Sequence, residues 1–365
     1  MRGGLTQTGI RTDFSRHSRS VSVKEEEPMS TICNRMLPLA VAMASISCAA
    51  GAIAQETMNF VSPSPPQAHL NVEIMPQFVE AVNQAAGGEL DVQLRTGGQM
   101  ANAGNVYDRL QSDVIQIAFS PVPQLPKSFP LLSAVELPFI IPDAETGSEA
   151  LWNLVESGAL DADFEGLKVL GITAFPSTTI HTNADVGVLD DVAGLRLAGS
   201  GQALTSLIQE LGAAPISLNV SDQYQAIDRG TVDGTVMIWT AFQPFRLAEV
   251  TSHHVEGPFG SAVAMVFMTE EKFESLSPTA QAALEQAGGR EFSRQFGAFW
   301  DRVASEAREQ TAALEGHEIV DLSDQDIEVL REKSAAVIEA WKSSTEGGPE
   351  FLDALEAEIA AIQAR

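Results

Sequence analysis

The pattern of apolar and polar residues predicts alternating strands and helices from residue 58 onwards. Apolar runs typical of strands alternate with amphipathic stretches of helical repeat, and glycine or proline separates them. In the first part of the chain the predicted strands are 58–61, 90–94 and 114–119, and the predicted helices are 70–86 and 105–111. This order, with connections of a few residues, indicates an α/β domain.

The same pattern recurs in the middle of the chain and predicts a second α/β unit. Its predicted strands are 167–172, 178–182, 195–197, 216–218 and 234–238, with helices over 202–211 and 222–229. The apolar run 262–268 is predicted to return to the first unit. We therefore expect two lobes, formed by residues 55–176 plus 263–303 and by residues 177–262 plus 304–365.

A long amphipathic stretch follows Ser277, which is a suitable N-cap residue before Pro278. Apolar positions continue at helical spacing to Leu314, and an unbroken helix of this length would measure about 55 Å at 1.5 Å per residue. Such a helix is longer than one lobe is wide, so we expect it to span both. Bends are predicted at Gly288–Gly289 and at Gly297. Two further helices are predicted over 324–341 and 350–362.

The beginning of the chain has the pattern of a secretory leader. Residues 1–28 are polar and are interpreted as an extension of the gene, with Met29 as the start of the protein. Residues 29–54 contain a short basic region, an apolar stretch and a small-residue cleavage site, which is the order of a signal peptide. Cleavage is predicted after Ala54, and the mature chain is then expected in the periplasm.

The two cysteines, Cys33 and Cys48, both fall within this predicted signal peptide. A lipid anchor on Cys48 is the alternative, but it would call for a branched aliphatic residue where Ser45 stands. In either case the remaining chain has no disulfide and no cysteine-based metal site. Hydrophobic cores alone must then stabilise an exported protein.

Charge narrows the range of partners. The 365 residues carry a formal net charge of -27, and removal of residues 1–54 takes away six basic and four acidic groups, which makes it -29. Nucleic acids and anionic lipid surfaces need clustered lysine and arginine, so neither is expected as a partner. Hydrophobic residues amount to 44%, which is enough for buried cores and argues against a disordered acidic chain.

Several motifs in the second unit resemble one known family. They are the stretch Leu189-Asp190-Asp191-Val192-Ala193-Gly194-Leu195-Arg196-Leu197, then Leu211-Gly212-Ala213-Ala214-Pro215, Tyr224-Gln225-Ala226-Ile227 and Gly230-Thr231-Val232-Asp233-Gly234. Matches elsewhere are Gly97-Gly98-Gln99, Phe129-Pro130-Leu131 and Glu136-Leu137-Pro138-Phe139. Together they resemble the extracytoplasmic solute receptor of tripartite ATP-independent periplasmic (TRAP) transporters, the DctP-type family.

The resemblance implies a periplasmic receptor without catalytic activity. It implies a two-lobed periplasmic-binding-protein fold of α/β class, with mixed sheets, hinge strands and a long lobe-spanning helix. The expected partners are a small organic solute held between the lobes and the small and large membrane subunits of a TRAP permease. Delivery to a sensor in place of a permease is the alternative partner. A monomer is expected, because the C-terminal region shows no extended dimerisation helix.

One position departs from the family pattern. The resemblance places a carboxylate-binding arginine two residues after Gly-Leu-Arg, where this chain has Ala198. Arg196 is not expected to replace it, because this arginine is predicted to face outward. The Asn-Pro pair common after Val-Asp-Gly is also missing. A simple dicarboxylate is therefore not expected; a small amine or neutral polar solute is favoured, with an organic-acid ligand as the alternative.

Nine residues are candidates for contact with the solute. Aromatic walls are expected from Trp239, Phe242, Phe175 and Phe119; hydrogen bonds from His181, His69, Ser120 and Gln202; and a counter-ion to an amine from Glu136. Each also has a structural alternative: packing in the core for the aromatic residues and His181, helix capping for Gln202 and His69, and a structural hydrogen bond for Glu136. These alternatives stay open at this point.

Other chemistry finds little support in the sequence, and no cofactor or metal is expected. Gly199-Ser200-Gly201 lacks the third glycine of a dinucleotide fingerprint and is interpreted as a turn. His253 and His254 are adjacent on an extended segment and should point apart. An exported hydrolase is the remote alternative, but neither a Gly-x-Ser-x-Gly element nor a His-Glu-x-x-His helix occurs.

Overall fold

The computed structural model describes residues 55–365. The extension, the signal peptide and the cleavage position predicted for residues 1–54 lie outside the described residues. The strands are β1 Glu56–Ser62, β2 Leu90–Thr96, β3 Ile117–Pro121, β4 Leu167–Ala174, β5 Thr179–Thr182, β6 Arg196–Ala198, β7 Ala214–Ile216, β8 Gly234–Met237, β9 His253–Glu256, β10 Val263–Thr269 and β11 Glu318–Asp321.

The α-helices alternate with the strands and then dominate the last third of the chain. They are α1 His69–Val72, α2 Ile74–Ala85, α3 Val106–Gln111, α4 Ala144–Glu156, α5 Gln202–Glu210, α6 Val220–Asp228, α7 Phe242–Phe245, α8 Glu270–Ser275, α9 Pro278–Ala287, α10 Gly289–Ala312, α11 Asp324–Ser344 and α12 Gly348–Gln363. Single 3₁₀ turns cover Val122–Gln124, Leu132–Glu136, Leu189–Val192, Trp239–Ala241 and Leu247–Glu249.

The first sheet has five strands in the order β2-β1-β3-β10-β4. Strands β1, β2 and β3 are parallel, whereas β10 runs antiparallel to both β3 and β4. The predicted return of the apolar run near residue 263 to this sheet is confirmed. We call this sheet and the helices packed on it the first lobe.

The second sheet has six strands in the order β11-β9-β5-β8-β6-β7. Strand β5 is antiparallel to both of its neighbours, and the remaining pairs are parallel. Both sheets are therefore mixed, as predicted, and the α/β class is confirmed. We call this sheet and its helices the second lobe.

Helix α10 lies against both lobes, which confirms the predicted lobe-spanning helix. Its first turns bury Phe292 and Phe296 in the core of the first lobe, and Ala304 belongs to a core cluster of the second. The stretch that follows Ser277 is divided into two helices, because α9 ends at Ala287 and α10 begins at Gly289. The break lies at Gly288. A Cβ atom at this position would lie 2.1 Å from the carbonyl oxygen of Leu170, so only glycine fits.

Gly297 is not a bend, and that prediction is wrong. The helix runs through it, and the glycine instead allows close contact with the start of α4: a Cβ atom would lie 2.2 Å from the carbonyl oxygen of Ala144. One turn later, the carboxylate of Asp301 accepts the backbone N–H groups of Ala144 and Glu145, both at 2.9 Å. These two contacts fix α4 to α10, because Asp301 satisfies donors that a helix leaves unpaired at its N-terminus.

The helix predicted over 70–86 is divided at Glu73. Proline has no N–H, so Pro76 cannot donate to the carbonyl group of Val72, and α1 and α2 form separate helices. The short α1 leaves Val72 exposed and places His69 within reach of the second lobe.

The C-terminal helices contact both lobes. Lys333 of α11 donates to the carbonyl oxygen of Glu210, at the end of α5. Helix α12 packs instead on α4 of the first lobe, where Asn153 donates to Glu358 at 2.8 Å. The sequence analysis had assigned residues 304–365 to the second lobe, but α12 contacts the first. The lobe boundaries stay a prediction. Within residues 55–365, no helix combines the length and the hydrophobicity needed to cross a membrane.

Candidate functional site

Two extended segments connect the lobes and are hydrogen-bonded to each other. Residues 175–178 leave the first sheet, and residues 257–262 return to it. The N–H of Phe175 donates to the oxygen of Ala262 and the N–H of Thr178 donates to that of Gly260, both at 2.8 Å. The hydroxyl of Ser177 donates to the oxygen of Gly257 at 3.0 Å. We call these two segments the hinge.

Four residues form a row across the second sheet next to the hinge. Strand register pairs Ala198 with Thr235, Thr235 with His181, and His181 with His254. Residues directly opposite each other in a sheet project from the same face. The side chains of this row therefore share the face that the aromatic residues after β8 cover.

Three histidines on this face form a hydrogen-bonded chain, which we call the histidine chain. His181 Nε2 lies 3.1 Å from the carbonyl oxygen of Met237, so this nitrogen donates. His181 Nδ1 then accepts from His254 Nδ1 at 3.0 Å, and His254 Nε2 accepts from His317 Nδ1 at 3.0 Å. Each neutral imidazole has one donor and one acceptor nitrogen, so this order satisfies both nitrogens of His181 and of His254.

Burial keeps the histidine chain neutral. Loss of hydration lowers the pKa of His254 to about 3, with His317 and His253 contributing repulsion. Burial likewise lowers the pKa of His181 well below its usual range, and that of His317 is lowered by the same cause. His181 thus has both nitrogens engaged inside the protein.

Trp239 and Phe242 cover the row. Their ring centroids lie 4.7 Å and 4.2 Å from that of His181, and 4.7 Å from each other. Trp239 is only 5% exposed. Its indole N–H donates to Glu256 at 2.8 Å, and the same carboxylate accepts from Nε of Arg308. Glu256 therefore joins the cover of the second sheet to helix α10.

Ala198 lies beneath this cover, fully buried in one cluster with Trp239, Phe242 and Ala304. Arg196, two residues earlier, is exposed and bound to Asp233 with Nη2–Oδ1 at 2.6 Å. Its predicted outward orientation is confirmed. The position where the resembled family has an arginine is thus occupied by a methyl group buried in the same core cluster as two aromatic residues.

Glu136 lies at the junction of the hinge and the second lobe. It ends the 3₁₀ turn Leu132–Glu136, and its carboxyl group is in contact with Gly201, just before α5. The neighbouring Gln202 is exposed and opens α5, whose N-terminus has no side-chain cap. The predicted capping role of Gln202 is therefore not seen, while Glu136 makes no structural hydrogen bond within residues 55–365.

Phe175, Phe119 and Ser120 belong to the first-lobe side. Phe175 packs on Trp300 of α10 with centroids 4.9 Å apart, and Phe119 lies 5.8 Å from Phe296. Ser120 is fully buried and donates to the carbonyl oxygen of Pro121. Among the described residues, the indole N–H of Trp300 is buried without an acceptor.

His69 reaches the second lobe from α1. Its Nε2 lies 3.1 Å from Oε1 of Gln243 on α7, and its Nδ1 lies 3.5 Å from Glu73. The helix-capping alternative for His69 is not what the structure shows, because its side chain is engaged across the lobes.

The structure therefore brings three candidates together, Trp239, Phe242 and His181, while Phe175 belongs to the hinge and Glu136 contacts it at Gly260. The sequence analysis missed Glu256, Arg308 and His317, whose contacts join distant segments. A partial signal existed for Arg308, since it continues the buried side of α10 four residues after Ala304. Within residues 55–365, no group of three or more acidic, histidine or cysteine side chains is arranged to hold a metal.

Comparison with known proteins identifies the family. The family model described as "Bacterial extracellular solute-binding protein, family 7" (DctP) matches residues 61–344. The chain belongs to this family. Its members are solute-binding receptors and not enzymes, and they are periplasmic, so the resemblance seen in the motifs is confirmed.

Two curated relatives of this family-7 chain illustrate the range of similarity. A solute-binding protein of Sulfitobacter sp. (strain NAS-14.1) is 23% identical over 60% of this chain and 68% of its own length. The C4-dicarboxylate-binding periplasmic protein DctP of Rhodobacter capsulatus is 25% identical over 58% of this chain and 64% of its own length. The chain thus aligns with about two thirds of each relative.

A solved structure extends the likeness to the whole fold. A TRAP solute-binding protein of a marine metagenome, described as specific for aromatic acid ligands, was crystallised with metahydroxyphenylacetate. It has 25% identity and a TM-score of 0.77, covering 84% of this chain and 99% of its own. The predicted two-lobed fold of the TRAP receptors is confirmed for the family-7 chain.

Proposed function

We propose that this protein is a periplasmic TRAP receptor that captures a small polar solute lacking a carboxylate, and that it delivers this solute to a membrane permease driven by an ion gradient. The solute is held between the two lobes, beside the hinge. The nine candidates retain their proposed roles in contacting it, with Trp239, Phe242 and His181 as the second-lobe wall.

The observation that carries this proposal is the environment of Ala198. A bidentate arginine replaces the hydration of an enclosed carboxylate with strong charge-assisted hydrogen bonds. Here Ala198 is fully buried beneath Trp239 and Phe242. Enclosing a carboxylate against this surface leaves a desolvation penalty of several kcal/mol without a compensating cation.

Two other arginines on the surrounding elements already have acidic partners. Arg196 is bound to Asp233 on the outer face, and Arg308 is bound to Glu256 through Nε at 2.8 and 2.9 Å. Using either of them for a ligand would leave its carboxylate unpaired. By contrast, the aromatic rings suit a neutral or cationic polar solute.

The alternative is an organic-acid receptor that uses other groups of the pocket. Two similar proteins favour it: DctP of Rhodobacter capsulatus is named for C4-dicarboxylates, and the marine receptor is described as specific for aromatic acids. A backbone N–H group and a hydroxyl would then have to replace the arginine. The remote alternative of an exported hydrolase finds no support in a family of receptors.

The partners and the location of the mature protein belong to the same proposal. A leader cleaved near Ala54 would bring the chain to the periplasm, where a monomer would meet the small and large permease subunits. The net charge of -29 after removal of residues 1–54 supports neither nucleic acid nor anionic lipid as a partner.

A thermal-shift screen of residues 55–365 tests the ligand class. The screen compares dicarboxylates and aromatic acids with polyols and small amines at millimolar concentration. A ligand present at 100 times its dissociation constant stabilises the folded state by about 2.7 kcal/mol, which raises the melting temperature by several degrees. We expect a shift with a polyol or an amine and none with the acids.

Substitution of the aromatic wall tests the place of binding. Trp239→Ala should weaken the best hit by about tenfold or more, since a buried aromatic contact contributes on the order of 1–2 kcal/mol. Trp239→Phe, which keeps an aromatic ring, is the matched variant and should retain more of the affinity. Equal affinity in Trp239→Ala and wild type would remove the aromatic wall from the proposal.

A further inference from the structure

Glu136 owes its position to two glycines, one in the hinge and one in the second lobe. A Cβ atom at Gly260 would lie 2.2 Å from the backbone oxygen of Glu136, and one at Gly201 would lie 2.6 Å from its Oε2. Gly201 also has φ +97°, a conformation that favours glycine. The carboxyl group therefore lies against the backbone that follows Ala198, at the end of β6.

The carboxyl group of Glu136 has no partner in the part of the chain that the structure describes. No donor in residues 55–365 hydrogen-bonds it and no cation pairs with it. Burial raises its pKa to about 7, and desolvation is the sole cause. Glu136 is half-buried, and a partly desolvated carboxyl without a partner costs free energy in the folded protein; such groups concentrate at functional sites.

The elements packed around Glu136 carry no charge that could replace a partner. Residues 257–262 of the hinge and residues 199–205 at the start of α5 have no ionisable side chain. On the neighbouring segments, Asp163 accepts the N–H of Leu132 at 2.9 Å, and Arg331 lies over the ring of Phe139 at 4.4 Å. Both charged groups are thus engaged elsewhere.

We propose that Glu136 is the counter-ion for an organic ammonium ligand bound at the hinge side of β6. This inference rests on the proposed function, and it selects the amine from the two solute classes left there. An ammonium group supplies the hydrogen-bond donors and the charge that the carboxyl group lacks. The same site opposes a carboxylate ligand, since two carboxylates in one cleft repel each other.

Binding of a cation should release a proton from Glu136 near neutral pH. The ligand binds the ionised carboxylate, so it lowers the pKa of this group in the complex below the value of about 7 in the free protein. Affinity then levels off above pH 7 and falls about tenfold for each pH unit below it. A ligand that accepts a hydrogen bond from the protonated carboxyl would show the opposite dependence.

Calorimetric titration of residues 55–365 with ethanolamine, putrescine and cadaverine tests the inference. We expect binding of at least one of them at pH 8, about thirtyfold weaker binding at pH 5.5, and a heat that changes with the ionisation enthalpy of the buffer because a proton is released. Absence of binding by all three amines would overturn the inference.

The variant Glu136→Gln separates a ligand role from a structural one. It should lose at least tenfold in amine affinity at pH 8 and should no longer show the pH dependence. Glu332→Gln, which removes an exposed carboxylate from α11, is the matched control and should behave as wild type. Unchanged amine affinity in Glu136→Gln would overturn the inference.

Stability of the same variant shows that it folds. The raised pKa means that ionised Glu136 destabilises the folded protein at pH values above the ordinary pKa of a glutamate, so Glu136→Gln should melt at a higher temperature than wild type at pH 8 and at the same temperature near pH 4. Binding of a polyol without any amine would overturn this inference and leave the proposed function intact. Tight binding of an acid would overturn both.

Discussion

The nitrogen atoms of His181, His254 and His317 are matched donor to acceptor, and a proton added to the middle of the chain has no acceptor. His254 accepts at Nε2 and donates at Nδ1, so its protonation would direct an N–H towards the donor of His317. This arrangement explains why burial and repulsion lower the pKa of His254 to about 3. The face of the second sheet is therefore built for neutral histidines.

Acid should destabilise the protein through the histidine chain. The ordinary pKa of histidine is about 6.5 in the unfolded chain, so between this value and about 3 the unfolded state binds more protons than the folded state. Stability is fully present above about pH 6.5 and is lost as the pH falls below it. Ionised Glu136 has the opposite dependence, so the effect is measured in Glu136→Gln, whose free energy of unfolding by urea denaturation should decrease by several kcal/mol from pH 8 to pH 4.

The variant His254→Phe assigns this effect to the chain. It leaves Nδ1 of His181 and Nδ1 of His317 without their partner, which should cost about 1–3 kcal/mol at pH 7.5. Because one depressed group is removed, the difference from wild type should shrink as the pH falls. Glu332→Gln, at an exposed position of α11, is the control. The same pH dependence in His254→Phe and wild type would contradict this assignment.

Helix α4 shows at the element scale why part of the fold escapes sequence analysis. Its buried residues include Gly147, Ser148 and Glu149 beside the apolar Leu151, Trp152 and Leu154, and α10 packs closely against it. The hydroxyl group of Ser148 donates to the carbonyl oxygen of Ala144 and accepts the N–H of Ala174, so both of these hydrogen bonds lie inside the protein. A helix whose buried face mixes small and polar residues with apolar ones gives a weaker amphipathic signal.

The close contact of α10 with α4 predicts that Gly297→Ala destabilises the protein, although a Gly→Ala substitution in a helix usually stabilises it. In an exposed helix, Gly→Ala stabilises by about 1 kcal/mol. At Gly297 the added Cβ would lie 2.2 Å from the oxygen of Ala144, so Gly297→Ala should destabilise by about 2–4 kcal/mol, measured by chemical denaturation. Ser305→Ala on the exposed side of α10 is the control and should be near neutral. A stabilised Gly297→Ala would show that the two helices separate readily.

At the scale of the whole molecule, the alternation of strands and helices was predictable because buried strands and amphipathic helices leave clear periodicities. Short polar strands were not: β9 and β11 carry the sequences His253-His254-Val255-Glu256 and Glu318-Ile319-Val320-Asp321. Their pairing, which brings His254 beside His181, depends on register between segments more than 70 residues apart. The candidate site was therefore predictable in its residue types but not in its contacts.

The absence of the arginine at Ala198 has its meaning only in the assembled molecule. The sequence shows that an alanine stands there, but the structure adds that two aromatic rings cover it and that Arg196 and Arg308 are already paired. The negative net charge of the chain acts in the same direction, since it attracts cations and repels anions at a distance. The alanine at position 198, the paired arginines around it and the negative net charge thus all favour a neutral or cationic solute over a carboxylate.

A matched pair of ligands of opposite charge tests whether the protein prefers an amine to a carboxylate. Metahydroxyphenylacetate, bound by the similar marine receptor, and 3-hydroxyphenethylamine share a hydroxyphenyl ring but carry opposite charges. Both are titrated into residues 55–365 by calorimetry at pH 8 and low salt. We expect no measurable binding of the acid at millimolar concentration and stronger binding of the amine. A micromolar dissociation constant for the acid would contradict this preference.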